Sequence, residues 1–120
     1  MRPLVACLCA GWCDSCRDYR ATFDALAARF GAEADFAWID VEDEADALGD
    51  PDIENFPTLL IADARALRFY GPVTPQAQTA ERLIRGALAG ELPAAPEAEL
   101  AGRVRALVAA RAGGSAACRS

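Results

Sequence analysis

Two cysteines three residues apart, Cys13 and Cys16, lie where an apolar run gives way to a helical pattern, in the stretch Ala10-Gly11-Trp12-Cys13-Asp14-Ser15-Cys16-Arg17. Residues three apart share one face of a helix, so the two sulfurs can approach closely enough to bond in the first turn. The first backbone N–H groups of such a helix have no partner within it and carry the positive end of its dipole. Both effects stabilise a thiolate at Cys13, which makes the pair a reactive, reversible dithiol. Cysteine also serves as a small buried hydrophobe, but Trp12-Cys13-x-x-Cys16 at a strand-to-helix junction reads as redox chemistry. Arg17 favours the thiolate and Asp14 opposes it.

The other cysteines are at 7, 9 and 118. Four of the five fall within ten residues of one strand and helix, unlike the disulfide framework of a small secreted domain, so the expected compartment is reducing and cytoplasmic. Cys7 and Cys9 point to the same face of a strand and read as core. The sharper alternative is that Cys7 lies under the dithiol and exchanges with Cys16. Cys118 reads as an exposed thiol, with an intermolecular bridge or a regulatory oxidation as the alternative. The spacing Cys9-x3-Cys13-x2-Cys16 also matches that of radical-SAM iron–sulfur enzymes, but those need a far larger α/β barrel. No metal and no organic cofactor is expected.

The chain has 120 residues and a net charge of −6, with twelve basic residues, all arginine, and no histidine. That balance disfavours nucleic acid and anionic membrane as partners and removes histidine as base or ligand. Met1-Arg2-Pro3-Leu4-Val5-Ala6-Cys7 has the look of a lipoprotein leader, but its apolar run is shorter than the roughly 7 to 15 residues a signal core needs. No stretch approaches the length of a membrane span.

The elements that position the dithiol follow from periodicity. Residues 4–10 form a continuous apolar run, a central strand covered on both faces. Tyr19, Phe23, Leu26, Ala27 and Phe30 recur at helical spacing over 15–30, and Gly31 stops the helix. Residues 34–41, with Phe36, Trp38 and Ile39, make a second strand, giving a right-handed parallel βαβ unit. Residues 40–54 carry eight acids and no base, a solvated face or a selector of basic partners, with a short helix near 43–48. Phe56 opens a third strand running to Ala62, with Pro57 at its start. A turn at 63–65 leads to a fourth strand, 66–70, ending at Gly71-Pro72. A helix follows from Ala77, with Ala80, Leu83, Ile84, Ala87 and Leu88 on one face and Gly90 closing it. Residues 92–96 are a linker. The last helix spans 97–111, with Leu100, Val104, Leu107 and Val108 on one side.

A dithiol after a first strand, a βαβ unit, Phe56-Pro57-Thr58 about forty residues on, and a closing helix together resemble the thioredoxin superfamily, over roughly residues 3–90. The resemblance implies an α/β thioredoxin-like fold, a four-stranded mixed sheet flanked by helices, with an extra C-terminal helix. It divides the chain into a domain at 1–92, a linker and added helix at 93–112 packed on it, and a flexible tail at 113–120. It implies that Cys13 attacks and Cys16 resolves. Pro57 resembles the family's cis-proline, packing against the dithiol and leaving the Phe56 backbone to pair with an extended substrate. Trp12, Thr58 and Gly71 complete the implied substrate surface. The implied activity is thiol–disulfide exchange on protein disulfides, with a dithiol reductase restoring the pair. A non-catalytic adaptor or redox-sensing module is the alternative, and a monomer or weak dimer is expected.

Three features depart from the family pattern. Cys7 stands where thioredoxins carry a buried aspartate, and Phe36 where its lysine partner lies, so proton transfer to and from Cys16 must use water or another carboxylate. Asp14-Ser15 replaces the commonest Gly-Pro between the cysteines. With Arg17 nearby, a Cys13 pKa somewhat below the ordinary value of about 8.5 is expected, and so a reducing couple. The chain begins directly on the central strand, which leaves a sheet edge for the last helix, or a second copy, to cover.

Overall fold

The apolar run that opens the chain becomes β1 (Leu4–Cys9), and all six of its residues are buried. The computed structural model describes residues 3–10, 14–48, 57–63, 65–74, 76–95 and 98–114. The sheet is mixed and four-stranded, in the order β2 (Asp35–Asp40), β1, β3 (Thr58–Ala62), β4 (Leu67–Pro72). β2 runs parallel to β1, while β3 is antiparallel to both β1 and β4. The expected βαβ unit is therefore present, with α1 (Asp14–Phe30) as its crossover.

β1 lacks polar alternation because both faces of the sheet are covered. Val5, Cys7 and Cys9 pack with Tyr19, Phe23, Leu26 and Phe30 of α1 and with Ala80, Ile84 and Ala87 of α3 (Ala77–Leu88). Leu4, Ala6 and Leu8 face the other way, toward Leu48 of α2 (Ala45–Leu48) and Ala101 and Val104 of α4 (Ala98–Gly114). The last helix thus lies over a sheet face rather than along an edge. Period-two alternation leaves Leu4 and Leu8 needing a cover, and the apolar side of α4 supplies it. Arg105 fixes the helix by donating to the carbonyls of Ala62 at 3.2 Å and Asp63 at 3.0 Å. Arg103 donates to the Leu48 carbonyl at 3.3 Å.

Glycine ends two helices for different reasons. A Cβ on Gly31 would come within 2.6 Å of the Ala27 carbonyl oxygen, so the chain leaves α1 only without a side chain there. Gly90 has φ +75°, the left-handed conformation that closes a helix cheaply only with glycine.

Most boundaries shift by a residue or two from the sequence reading, and two of the shifts bear on the fold. Gly71 and Pro72 belong to β4 rather than ending it, because β4 is an edge strand and its outward N–H positions need no partner. α4 continues to Gly114, so the first two residues of the expected tail are helical. The proposed start of β3 at Phe56 lies outside the described residues.

Candidate active site

The C-terminal end of β1 delivers the chain to the start of α1, the junction where the dithiol was located from sequence. Trp12 and Cys13 lie outside the described residues. Cys16 occupies the first turn of α1 and is buried, in one apolar cluster with Cys7 and Cys9. Asp14 and Arg17 pair with one another on the exposed side of that turn. An exposed pair of this kind stabilises by at most about 1 kcal/mol. Of Ser15, only its place in α1 is described.

β3 brings the second motif alongside. Thr58 pairs with Leu8 near the end of β1 and with Pro72 of β4, and its side chain is buried. Pro57 is buried just before it, and its carbonyl accepts the Val73 N–H at 3.1 Å. Gly71 pairs with Leu59, Leu59 with Cys7, and Cys7 with Trp38, one row across the sheet. The register neighbour of Cys7 on β2 is thus Trp38. Phe36 lies two rows away opposite Val5, with its ring edge against Phe23 at 5.5 Å between centroids.

Beside this row is a partly open cavity of about 260 Å³ lined by Cys9, Ala10, Cys16, Arg17, Arg20, Trp38 and Asp40. It has room for several waters. Arg20 stacks over the Trp38 ring at 4.7 Å. The Asp40 Oδ1 accepts the N–H groups of Glu42 at 2.9 Å and Asp43 at 3.2 Å, which fixes the carboxylate at the end of β2. From sequence, Asp40 was one acid in a charged run and Trp38 a strand apolar residue. The signal was the parallel pairing: Trp38 and Asp40 sit opposite Cys7 and Cys9.

Under the cavity, the Cys7 and Cys9 Sγ atoms are 3.6 Å apart. Tyr19, read from sequence as a plain core position, is buried with a hydroxyl that has no hydrogen-bond partner among the described residues. Burial, reinforced by Cys7 and then Cys9, pushes its pKa up to about 12, so the phenol is a neutral donor at physiological pH. Among the described residues no three His, Cys, Asp or Glu side chains form a metal-holding group, and no helix is long and apolar enough to cross a membrane.

The thioredoxin family profile matches residues 2–83. No curated protein matches the sequence. Among solved structures, thioredoxin from Trypanosoma brucei brucei is similar at TM-score 0.63 and 18% identity, over 73% of this chain and 76% of that one. The germline-specific thioredoxin Deadhead from Drosophila melanogaster gives 0.62 and 17%, over 70% and 79%. Mitochondrial thioredoxin 3 from Saccharomyces cerevisiae gives 0.60 and 19%, over 69% and 76%. At these identities the structural likeness speaks for the fold.

Proposed function

Because the chain belongs to the thioredoxin family, we propose that it is a thiol–disulfide oxidoreductase that reduces protein disulfides through Cys13 and Cys16. The observation that carries this reading is the placement of Cys16, buried in the first turn of a helix that starts directly beyond the central strand, with Pro57-Thr58 at the adjacent strand end. In the reaction, the Cys13 thiolate attacks one sulfur of the partner disulfide. The other partner sulfur leaves and takes up a proton. Cys16 then loses its proton and attacks Cys13, forming the Cys13–Cys16 bridge and releasing the second partner thiol. The partner gains two electrons and the dithiol loses them, and a dithiol reductase restores the pair.

Pro57 takes the part of the family's cis-proline, and the Phe56 backbone pairs with an extended substrate, with Trp12, Thr58 and Gly71 around it. With Cys7 in place of a buried carboxylate, the proton of Cys16 passes through cavity water to Asp40, which lines the same cavity. Burial of the three thiols Cys7, Cys9 and Cys16 in one apolar cluster favours a reducing compartment such as the cytoplasm.

Insulin reduction with dithiothreitol tests the reading. Cys13→Ser is expected to bring the rate down to that of the reagent alone, and equal rates for variant and wild type would overturn it. Asp40→Asn, which keeps the oxygen that caps the turn, is expected to slow the Cys16 step most at low pH. An unchanged pH profile would remove Asp40 from the scheme.

A further inference from the structure

Cys9 has no part in the exchange just described, yet it shares the cavity with Cys16. Both side chains are buried in one cluster on the same face of the sheet, Cys9 from the last position of β1 and Cys16 from the first turn of α1. The cavity that both line is partly open to solvent, which gives a small disulfide a route in and a departing thiol a route out.

We propose that Cys9 is a third redox-active cysteine, which forms with Cys16 a second intramolecular disulfide lining this cavity. Cys7, whose sulfur lies 3.6 Å from that of Cys9, is not the bridging partner. Residues two apart on a strand have Cα atoms about 6.4 to 6.8 Å apart with parallel Cα–Cβ bonds, at the limit of what a disulfide spans. Cys7 instead positions Cys9. At 3.6 Å the two sulfurs are within hydrogen-bonding distance, and an S–H donated to the Cys9 thiolate favours the charged form. Arg17 and Arg20 line the same cavity together with Asp40, so both signs of charge border it.

With oxidised glutathione as electron acceptor, Cys16 and glutathione form a mixed disulfide and one glutathione leaves as thiol. The Cys9 thiolate then attacks the Cys16 Sγ, closes the Cys9–Cys16 bond and expels the second glutathione. Two protein thiols are oxidised and one glutathione disulfide is reduced. A further step rests on the function proposed above. In the chain oxidised at Cys13–Cys16, the Cys9 thiolate attacks Cys16 and Cys13 leaves as a thiolate. Cys13 takes up the proton that Cys9 lost. The chain stays oxidised but presents a free Cys13.

The test uses the full chain carrying Cys118→Ser. The Cys13→Ser variant is equilibrated with oxidised glutathione and its mass is measured. Cleavage after Leu8 and Trp12 then places Cys7, Cys9 and Cys16 on separate peptides. Loss of two hydrogens with Cys9 linked to Cys16 is expected, and it persists in Cys7→Ala and disappears in Cys9→Ala. A chain that stays reduced, carries only glutathione on Cys16, or links through Cys7 overturns the proposal. Should Cys9→Ala lose its circular dichroism signature, the chain retaining Cys13 decides. Its oxidised form is treated with iodoacetamide, and alkylation at Cys13 together with a Cys9–Cys16 bridge is expected. No labelling of Cys13 in the time that the reduced chain labels fully overturns the exchange step. Failure of the function proposed above is read separately, as insulin reduction retained by Cys13→Ser, and leaves the mapped bridge untouched.

Discussion

Tyr19→Phe removes one oxygen from the core and leaves its shape intact. That oxygen is buried and has no partner among the described residues, and an unsatisfied buried polar group costs about 1 to 3 kcal/mol. Near neutral pH the variant is therefore expected to be more stable than wild type by about that amount, roughly 4 °C in midpoint per kcal/mol for a domain of this size. The alkaline limb gives an independent magnitude. The phenol pKa is raised from 10.0 to about 12 by burial and by Cys7 and Cys9. A folded-state value above the unfolded one stabilises fully below the unfolded pKa and is lost as pH rises through the folded one. Two pK units correspond to about 2.7 kcal/mol, so wild type sheds roughly that much stability between pH 10 and pH 12 and the variant does not. The other ionisable groups are common to both chains, so the difference curve isolates Tyr19. Urea unfolding across this range, with tyrosinate absorbance followed in parallel, measures both effects. A variant less stable than wild type near neutral pH would show that the hydroxyl has a partner. Parallel alkaline limbs would show that its titration is ordinary.

Asp63 predicts the opposite end of the pH scale. Burial alone would raise its pKa, but the Arg68 side chain at 2.7 Å and the N–H groups of Ala66 and Arg65 at 2.9 and 2.8 Å hold it below 3.8. Its stabilisation is present above the unfolded pKa and is lost as pH falls through the folded one, so Asp63→Asn flattens the acid limb of denaturant unfolding, and an unchanged limb refutes the assignment. Val104 is fully buried between α4 and the sheet, so Val104→Ala is expected to cost roughly 1 to 3 kcal/mol. Deleting residues 93–120 should expose the Leu4 and Leu8 face and yield an aggregated or unfolded chain. A monomer of unchanged stability, by sizing and circular dichroism, would show that α4 does not hold the sheet.

The centre of the sheet was legible because β1 and β3 are buried on both faces and their apolar runs are unbroken: residues 4–10 and 56–62 read as strands without any help from tertiary contacts. The helical periods of α1 and α3 were equally plain. What periodicity does not carry is which side of the sheet a helix serves. Leu100, Val104, Leu107 and Val108 mark an apolar side of α4, but only the alternation of Leu4, Ala6 and Leu8 away from α1 says where that side goes. The candidate site divides along the same line. Cys16, Pro57 and Gly71 are candidates by local motif, whereas Asp40, Arg20 and Trp38 join the cavity through strand pairing and helix placement. Tyr19 was invisible as anything but core, since a tyrosine at a helical core position looks the same with or without a partner for its oxygen.

The cover of Leu4, Ala6 and Leu8 by Val104 has a consequence for how the chain is made. During synthesis β1 is completed on one face by α1 and α3, and on the other only when α4 has emerged. At about 5 to 20 residues per second, that face stays open for several seconds of synthesis. A leucine-bearing sheet surface exposed for that long is a target for chaperones, and substitutions that slow the docking of α4 should lower soluble yield even where the finished protein is scarcely destabilised.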